Sequence, residues 1–183
     1  IGAILVLALF IFVGQQFAGK AIDVTPLSAM LNSGQMALDP EAVTGAVGDE
    51  FTVTVKANLG EIISSAAEVT LIYPTDKLAV VGSNSLLSGW SDFYSDSDTE
   101  GLIILGDYVF DTSGSSDITG EVELFEVNFR ILDGSGSGNI EVTDVLGDLR
   151  ISSTLLSTIT VESAGPVCGN GVVEAPETCD DGN

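Results

Sequence analysis

The sequence lacks histidine entirely and contains very few cations. Of its 183 residues, 5 are Lys or Arg and 27 are Asp or Glu, so the formal net charge is −22. Without histidine the chain has neither the commonest general base nor the commonest metal ligand. Because phosphates are bound mainly through Lys and Arg, so acidic a surface predicts no nucleic-acid partner. With no nucleophile motif such as G-x-S-x-G either, the sequence predicts a protein that is not an enzyme.

Cysteine is equally restricted, because Cys168 and Cys179 are the only two in the chain and both lie near its end. The long middle of the sequence therefore has no disulfide, no thiolate nucleophile and no zinc site built from cysteine.

Aromatic residues make up only 7% of the chain, and long stretches of strong helix formers are scarce. Val, Ile, Thr and Ser recur instead, interrupted by 21 Gly, and this mixture favours strands and turns. Many short strands separated by Gly, Ser and Asp predict an antiparallel β-sandwich. The predicted strands are Phe51–Ala57, Ala67–Tyr73, Lys77–Val81, Leu102–Phe110, Gly120–Leu132, Asn139–Val145 and one or more in Leu149–Val161.

The longest of these segments, GEVELFEVNFRIL, changes its alternation in the middle. Val122 and Leu124 would face a core before the change, and Val127 and Phe129 after it. Because side chains alternate strictly along a strand, the slip near Phe125 predicts either a β-bulge or a break between two strands.

The chain begins with an apolar run, Ile1–Val13, and its first charged residue is Lys20. Residues 1–21 fit a secretory signal peptide, with Gly19 and Ala21 as the small residues near a cleavage site. If the segment is retained, we expect a hydrophobic N-terminal helix that anchors the chain through residues 1–19 or packs in the core of a pilus-like filament. The remaining divisions are a domain over residues 22–162 and a tail over residues 163–183.

The tail contains CGNGVVEAPETCDDGN, which resembles the start of a Cys-rich repeat of large secreted and cell-surface bacterial proteins. The resemblance implies an oxidising, extracellular compartment, and so a secreted or surface-exposed protein. Cys168 and Cys179 then either pair with each other or belong to a longer repeat.

The middle of the chain resembles the cohesin family, over residues 22–161. The resemblance is carried by the order of GDEFTVTVKANLG, AAEVTLIYPTDKLAVV, LLSGWSDFYSDSDTEGLIILGDYVF and ITGEVELFEVNFRIL. It implies an all-β jelly-roll sandwich of about nine strands, with an exposed sheet face used for docking. It also implies a non-catalytic role and a partner of the dockerin kind, which carries two calcium-binding helical segments.

One acidic stretch, SDSDTEGLIILGD, has nearly the spacing of a calcium-binding loop. Asp96, Asp98 and Glu100 supply hard oxygen ligands, and Asp107 stands at the last ligand position. However, LIIL between Glu100 and Asp107 reads as a strand, which would hold Asp107 away from the other three. The alternatives are a surface cation, best suited to calcium, on Asp96, Asp98 and Glu100, or a solvated turn. No cofactor is required.

Three aromatic residues, Trp90, Phe93 and Tyr94, lie close together in a Ser- and Asp-rich segment. Such residues can stack on sugars or anchor a partner, or Trp90 can instead cap the open end of the core. Three functions therefore stand side by side. They are docking to a dockerin-like or other surface protein, self-assembly into an extracellular filament, and binding of a polysaccharide.

Overall fold

The structure, a computed structural model, describes residues 22–109, 117–132, 136–147, 149, 151, 153–154 and 159–163, the last two ranges by their backbone. The expectations for residues 1–21, including the hydrophobic helix, and for Cys168 and Cys179 lie outside these ranges. The described residues form twelve strands and no helix, so the prediction of an all-β fold is confirmed. Within these ranges no segment has the length and apolar character of a membrane-spanning helix.

The strands form two sheets that pack face to face. The larger sheet has seven strands in the order β1-β3-β12-β10-β5-β8-β7, and the smaller has five in the order β11-β2-β4-β9-β6. Their bounds are β1 Asp23–Thr25, β2 Gln35–Asp39, β3 Ala42–Gly45, β4 Glu50–Asn58, β5 Ala66–Ile72, β6 Leu78–Ser85, β7 Tyr94–Asp96, β8 Leu102–Tyr108, β9 Glu121–Ile131, β10 Ser137–Gly147, β11 Ser153–Thr154 and β12 Ile159–Ser163.

Most strand pairs are antiparallel, as predicted, and two pairs are parallel. β12 runs parallel to β3, and β11 runs parallel to β2. β12 lies between β3 and β10, and it is antiparallel to β10. Because its two neighbours run in opposite directions, this inserted strand must be parallel to one of them. Three strands, β1, β7 and β11, have only two or three residues, and the other nine have four or more.

The core lies between the inward faces of the two sheets and consists of aliphatic residues around a small aromatic cluster. Phe129, at the middle of the smaller sheet, stacks on Phe51 with ring centroids 5.8 Å apart. Tyr73 meets Phe129 edge-on at 5.4 Å. Such pairs add to the free energy gained by burying the rings. Tyr73 follows β5 directly, so this contact joins the two sheets.

The predicted irregularity near Phe125 is a β-bulge. Val55 of β4 pairs with Phe125, but the next residue, Lys56, pairs with Glu123, so Leu124 has no partner of its own. Leu124 and Phe125 are both fully buried. The bulge therefore keeps both side chains in the core and lets the alternation continue correctly on either side.

We expect Phe129→Ala to lower the free energy of unfolding by about 3–5 kcal/mol, because it removes a fully buried ring that both sheets contact. Urea denaturation followed by circular dichroism measures this change. Leu132→Ala is the control, because Leu132 is 46% exposed. It should change stability by less than about 1 kcal/mol. Equal losses for the two variants would contradict the assignment of Phe129 to the centre of the core.

Candidate functional site

The outer face of four neighbouring strands, β10-β5-β8-β7, carries aliphatic side chains and carboxylates side by side. Inward residues of β5 such as Val69 and Leu71 are buried, so the alternate residues face outward. The cross-strand pairing then places outward residues of the four strands side by side. This outer face consists of Ala66, Glu68, Thr70, Ile72, Tyr94, Asp96, Leu102, Ile104, Gly106, Tyr108, Glu141, Asp144 and Leu146.

The outer face combines exposed aliphatic side chains with carboxylates. Leu146 is 52% exposed and Ile72 is 37% exposed, while Leu102 and Ile104 are half-buried. Glu68, Asp96, Glu141 and Asp144 lie among them, and none of the four strands contains Lys or Arg. The face is therefore apolar and negatively charged, a combination that suits a partner with apolar and basic side chains.

Tyr94 lies across this face and contacts two strands. Its hydroxyl donates a hydrogen bond to the Glu68 carboxylate on β5. This hydrogen bond, with smaller effects from burial and from the charge of Glu68, raises the pKa of Tyr94 from 10.0 to about 12. The phenol is protonated at physiological pH with or without this shift, and as a hydrogen-bond donor it holds the Glu68 carboxylate in one position.

Gly106 of β8 makes this arrangement sterically feasible. It pairs with Tyr94 on one side and with Glu68 on the other, so it lies directly between them. A Cβ atom at position 106 would overlap the Tyr94 ring. Any side chain there would therefore displace the ring and break the hydrogen bond to Glu68. The absence of a side chain at Gly106 is thus part of the site.

The outer face of the smaller sheet differs, because its polar groups bind one another. Thr52 donates a hydrogen bond to Asn128 at 2.6 Å. Arg130 pairs with Glu50, with 2.6 Å between guanidinium nitrogen and carboxylate oxygen. Lys56 is likewise paired with carboxylates. This sheet offers a partner fewer unpaired charges than the outer face of β10-β5-β8-β7.

The acidic residues predicted to hold a cation are dispersed. Asp96 is the last residue of β7, and one of its carboxylate oxygens accepts a hydrogen bond from the backbone N–H of Asp98 at 2.9 Å. Glu100 is exposed. Within the described ranges, no three acidic or other ligand-type side chains are grouped so that they could hold a metal ion. The hydrogen bond between Asp96 and Asp98 is typical of a solvated turn, and a calcium site there stays a prediction without geometric support.

Asp107 lies on the opposite side of its sheet from these acids. It pairs with Ala67, an inward residue of β5, and is only 2% exposed. One carboxylate oxygen accepts the backbone N–H of Tyr108 at 2.9 Å, and the other has no hydrogen-bond partner among the described residues. The strand between Glu100 and Asp107 therefore separates them, as the sequence indicated.

The three clustered aromatic residues do not form one exposed surface. Trp90 is 8% exposed and belongs to the core, which matches the capping alternative. Phe93 is half-buried and packs on Phe125, with ring centroids 6.2 Å apart. Tyr94 alone is exposed. The structure thus brings one of the three candidates to the outer face of β10-β5-β8-β7.

Most residues of this face were not singled out from the sequence. Glu68, Ile104, Gly106 and Leu146 come from three strands far apart in the chain, and only the register between those strands brings them together. One signal was present, because the alternation of AAEVTLI places Ile72 on the outward side with Glu68 and Thr70.

Comparison with known proteins gives a consistent result. A family model described as cohesin domain matches residues 36–163. A cohesin from Clostridium acetobutylicum is 17% identical with a TM-score of 0.59, over 73% of this chain and 92% of that chain. The third cohesin ScaC of Acetivibrio cellulolyticus, solved in complex with the ScaB dockerin, is 15% identical with a TM-score of 0.58, over 70% and 97%.

A cohesin module of a family 33 glycoside hydrolase from Clostridium perfringens is 16% identical with a TM-score of 0.53, over 66% of this chain and 91% of that chain. At identities this low the likeness to solved structures concerns the fold. No curated protein matches the chain.

We expect Glu68→Gln to lower the pKa of Tyr94 from about 12 toward 10.0, because the carboxylate that accepts its proton is removed. Because the folded-state pKa is raised, the hydrogen bond contributes stability below pH 10 that is lost as the pH rises toward about 12. Ultraviolet titration, with the Tyr94→Phe spectrum subtracted and near-ultraviolet circular dichroism as a check on folding, isolates this group. Glu141→Gln is the control, and equal titration curves for both Gln variants would contradict the assignment.

Proposed function

The chain belongs to the cohesin family, and from this premise we propose that residues 22–162 form a non-catalytic module that binds a dockerin-type partner. The partner binds the outer face of β10-β5-β8-β7. The observation that carries the proposal is the concentration of exposed aliphatic residues on that face, among carboxylates that have no cation on the same strands.

Exposure of aliphatic side chains to water is unfavourable, and a partner that covers them lowers the free energy of the system. Ile72, Ile104 and Leu146 project from three adjacent strands, whereas the opposite sheet presents hydrogen-bonded and ion-paired groups. Covering the aliphatic residues provides the affinity, since apolar burial contributes about 25 cal/mol per Å². The flat outer surface of a sheet also suits a helical partner better than a small molecule, which binds in a concave pocket.

The charges on this face specify the partner further. Glu68, Asp96, Glu141 and Asp144 attract a basic surface and repel an acidic one. Tyr94 fixes the carboxylate of Glu68, so a Lys or Arg of the partner that pairs with it meets an ordered acceptor. The dockerin surface that binds here therefore carries apolar residues surrounded by Lys or Arg.

The module acts outside the cell, as the Cys-rich resemblance at Cys168 and Cys179 and the apolar N-terminal segment support. A docking role agrees with the solved relative from Acetivibrio cellulolyticus, whose structure contains a dockerin. A polysaccharide-binding role gains less support, because Trp90 is buried and so cannot stack on a sugar. A filament role depends on residues 1–21, which the structure does not describe.

We expect the protein to bind at least one member of a dockerin panel with a dissociation constant of about 1 µM or lower in calcium-containing buffer, measured by calorimetry. Leu146→Asp should weaken this binding about tenfold or more, because it places a charge in the apolar contact. Val81→Asp is the matched control, since Val81 is an exposed aliphatic residue of the other sheet, and it should bind as the wild type does. No binding across the panel, or equal losses in both variants, would refute the proposal.

The association rate should fall about tenfold or more between low and high salt, because four carboxylates and no cation steer the partner. Stopped-flow measurements at several sodium chloride concentrations test this dependence. Asp144→Asn should reduce the slope, whereas Glu126→Gln on the opposite sheet should leave it nearly unchanged. A rate that does not vary with salt would argue against a basic partner surface.

A further inference from the structure

A groove of about 390 Å³ lies on the outer face of the smaller sheet, on the side of the sandwich opposite the proposed docking face. One wall is apolar, and the other is built from charged residues of β4 and β9. The lining consists of Leu27, Ala29, Met30, Leu31, Lys56, Ala57, Glu121, Val122 and Glu123. Its size is within the range of ligand-binding clefts.

The apolar wall is a short segment, residues 27–31, which we call the strap. At its start, the backbone N–H of Leu27 donates to Asp39 at 2.8 Å. At its end, the Asn58 side-chain amide donates to the carbonyl of Leu31 at 2.8 Å. These two hydrogen bonds hold the strap to the sheet at both ends. Ala37, an outward residue of β2, is only 1% exposed.

Met30 is the large apolar residue of the strap that is most open to solvent, because 88% of its surface is exposed. It lines the groove together with Ala29, which is also exposed. A methionine side chain adapts readily to an apolar surface placed against it. The strap thus presents a flexible apolar contact on a fixed backbone.

The charged wall carries more negative than positive charge. The Lys56 ammonium lies 2.6 Å from an Asp39 oxygen and 3.0 Å from a Glu123 oxygen. The hydrogen bond from Lys56 to Asp39, followed by that to Glu123, raises the pKa of Lys56 despite its partial burial. Lys56 and Glu123 line the groove, Asp39 lies outside its lining, and Glu121 adds a second carboxylate. The wall therefore has one cation and two carboxylates, and a net charge of −1.

The β-bulge at Leu124 is what turns two of these carboxylates outward. Glu123 pairs with Lys56, and Glu121 pairs with Asn58, on the outward positions of β4. Without the extra residue, Lys56 would pair with Leu124, and Glu123 would move to the inward face. Bulges often redirect side chains toward binding sites in this way.

We infer that this groove is a second docking site, which takes an extended peptide segment with a Lys or Arg next to an aliphatic side chain. The cation lies against Glu121 and Glu123, and the aliphatic group lies against Met30 and Leu27. The argument is charge complementarity combined with an apolar wall that nothing else in the described part of the chain covers. The site is on the other sheet, so it does not depend on the proposed dockerin contact.

The probe is an uncharged-end peptide of alternating leucine and lysine, titrated into the full chain and followed by ¹⁵N-resolved NMR. We expect shifts of the amide signals of Met30, Lys56 and Glu121, and we expect these shifts to persist in Leu146→Asp, which disrupts the proposed docking face. Glu121→Gln and Met30→Ser should each weaken binding about three- to fivefold, the effect of one partly exposed contact. Glu126→Gln, on the same strand outside the groove, should have no effect.

Four results of the peptide titration would overturn the inference. These are no shifts at the groove, equal weakening by Glu126→Gln, equal binding of the peptide with glutamate in place of lysine, and loss of binding in Leu146→Asp. Sedimentation without peptide tests a second copy as the occupant. A dimer that Met30→Ser dissociates would mean that the chain itself covers the groove, and would also overturn the inference.

Discussion

The register of β9 against β4 is the constraint on which the core and the outer face of the smaller sheet depend. β9 is the longest strand of the smaller sheet, and it carries Phe129 into the contact with Phe51 and Tyr73. Because side chains alternate, a slip of one residue would turn the buried phenylalanine to water and bring Glu126 or Asn128 inside. The bulge at Leu124 lets a single strand satisfy the core on both sides of Phe125. The position of every outward charge on β4 and β9 follows from that adjustment.

The chain distributes its few cations unevenly between the sheets. Lys56 and Arg130 lie on the smaller sheet, where they pair with Asp39, Glu123 and Glu50. The strands β10, β5, β8 and β7 have none. The carboxylates on those strands remain available because solvent and salt screen their mutual repulsion at the surface. A strongly acidic sequence thus folds into a module whose smaller sheet carries ion-paired cations among its carboxylates, while the strands β10, β5, β8 and β7 carry charged groups of one sign only.

Local pattern predicted the strands well where alternation was clear. FTVTVKA, AEVTLIY and the slip near Phe125 all correspond to observed features. β2 and β3 were missed, because Asn32–Val47 contains Pro40 between two short segments and neither alternates convincingly. The parallel placement of β12 could not be predicted either, since it depends on which distant strands leave a gap. The residues of the candidate face could not be predicted from the sequence for the same reason. Tyr94 was noticed as an aromatic residue, but its contacts with Gly106 and Glu68 follow only from pairing between β7, β8 and β5.

The insertion of β12 beside β3 determines how the sandwich is joined to the rest of its chain. Asp23 and Glu162 both pair with Thr44, one on each side of β3. With neighbouring strands about 4.8 Å apart, the chain enters and leaves the module about 10 Å apart, at the same end of one sheet. The two ends of the described sandwich therefore lie side by side at one edge of the larger sheet. A force applied between these two ends would act first on β1, β3 and β12, and less on the four strands of the proposed docking face.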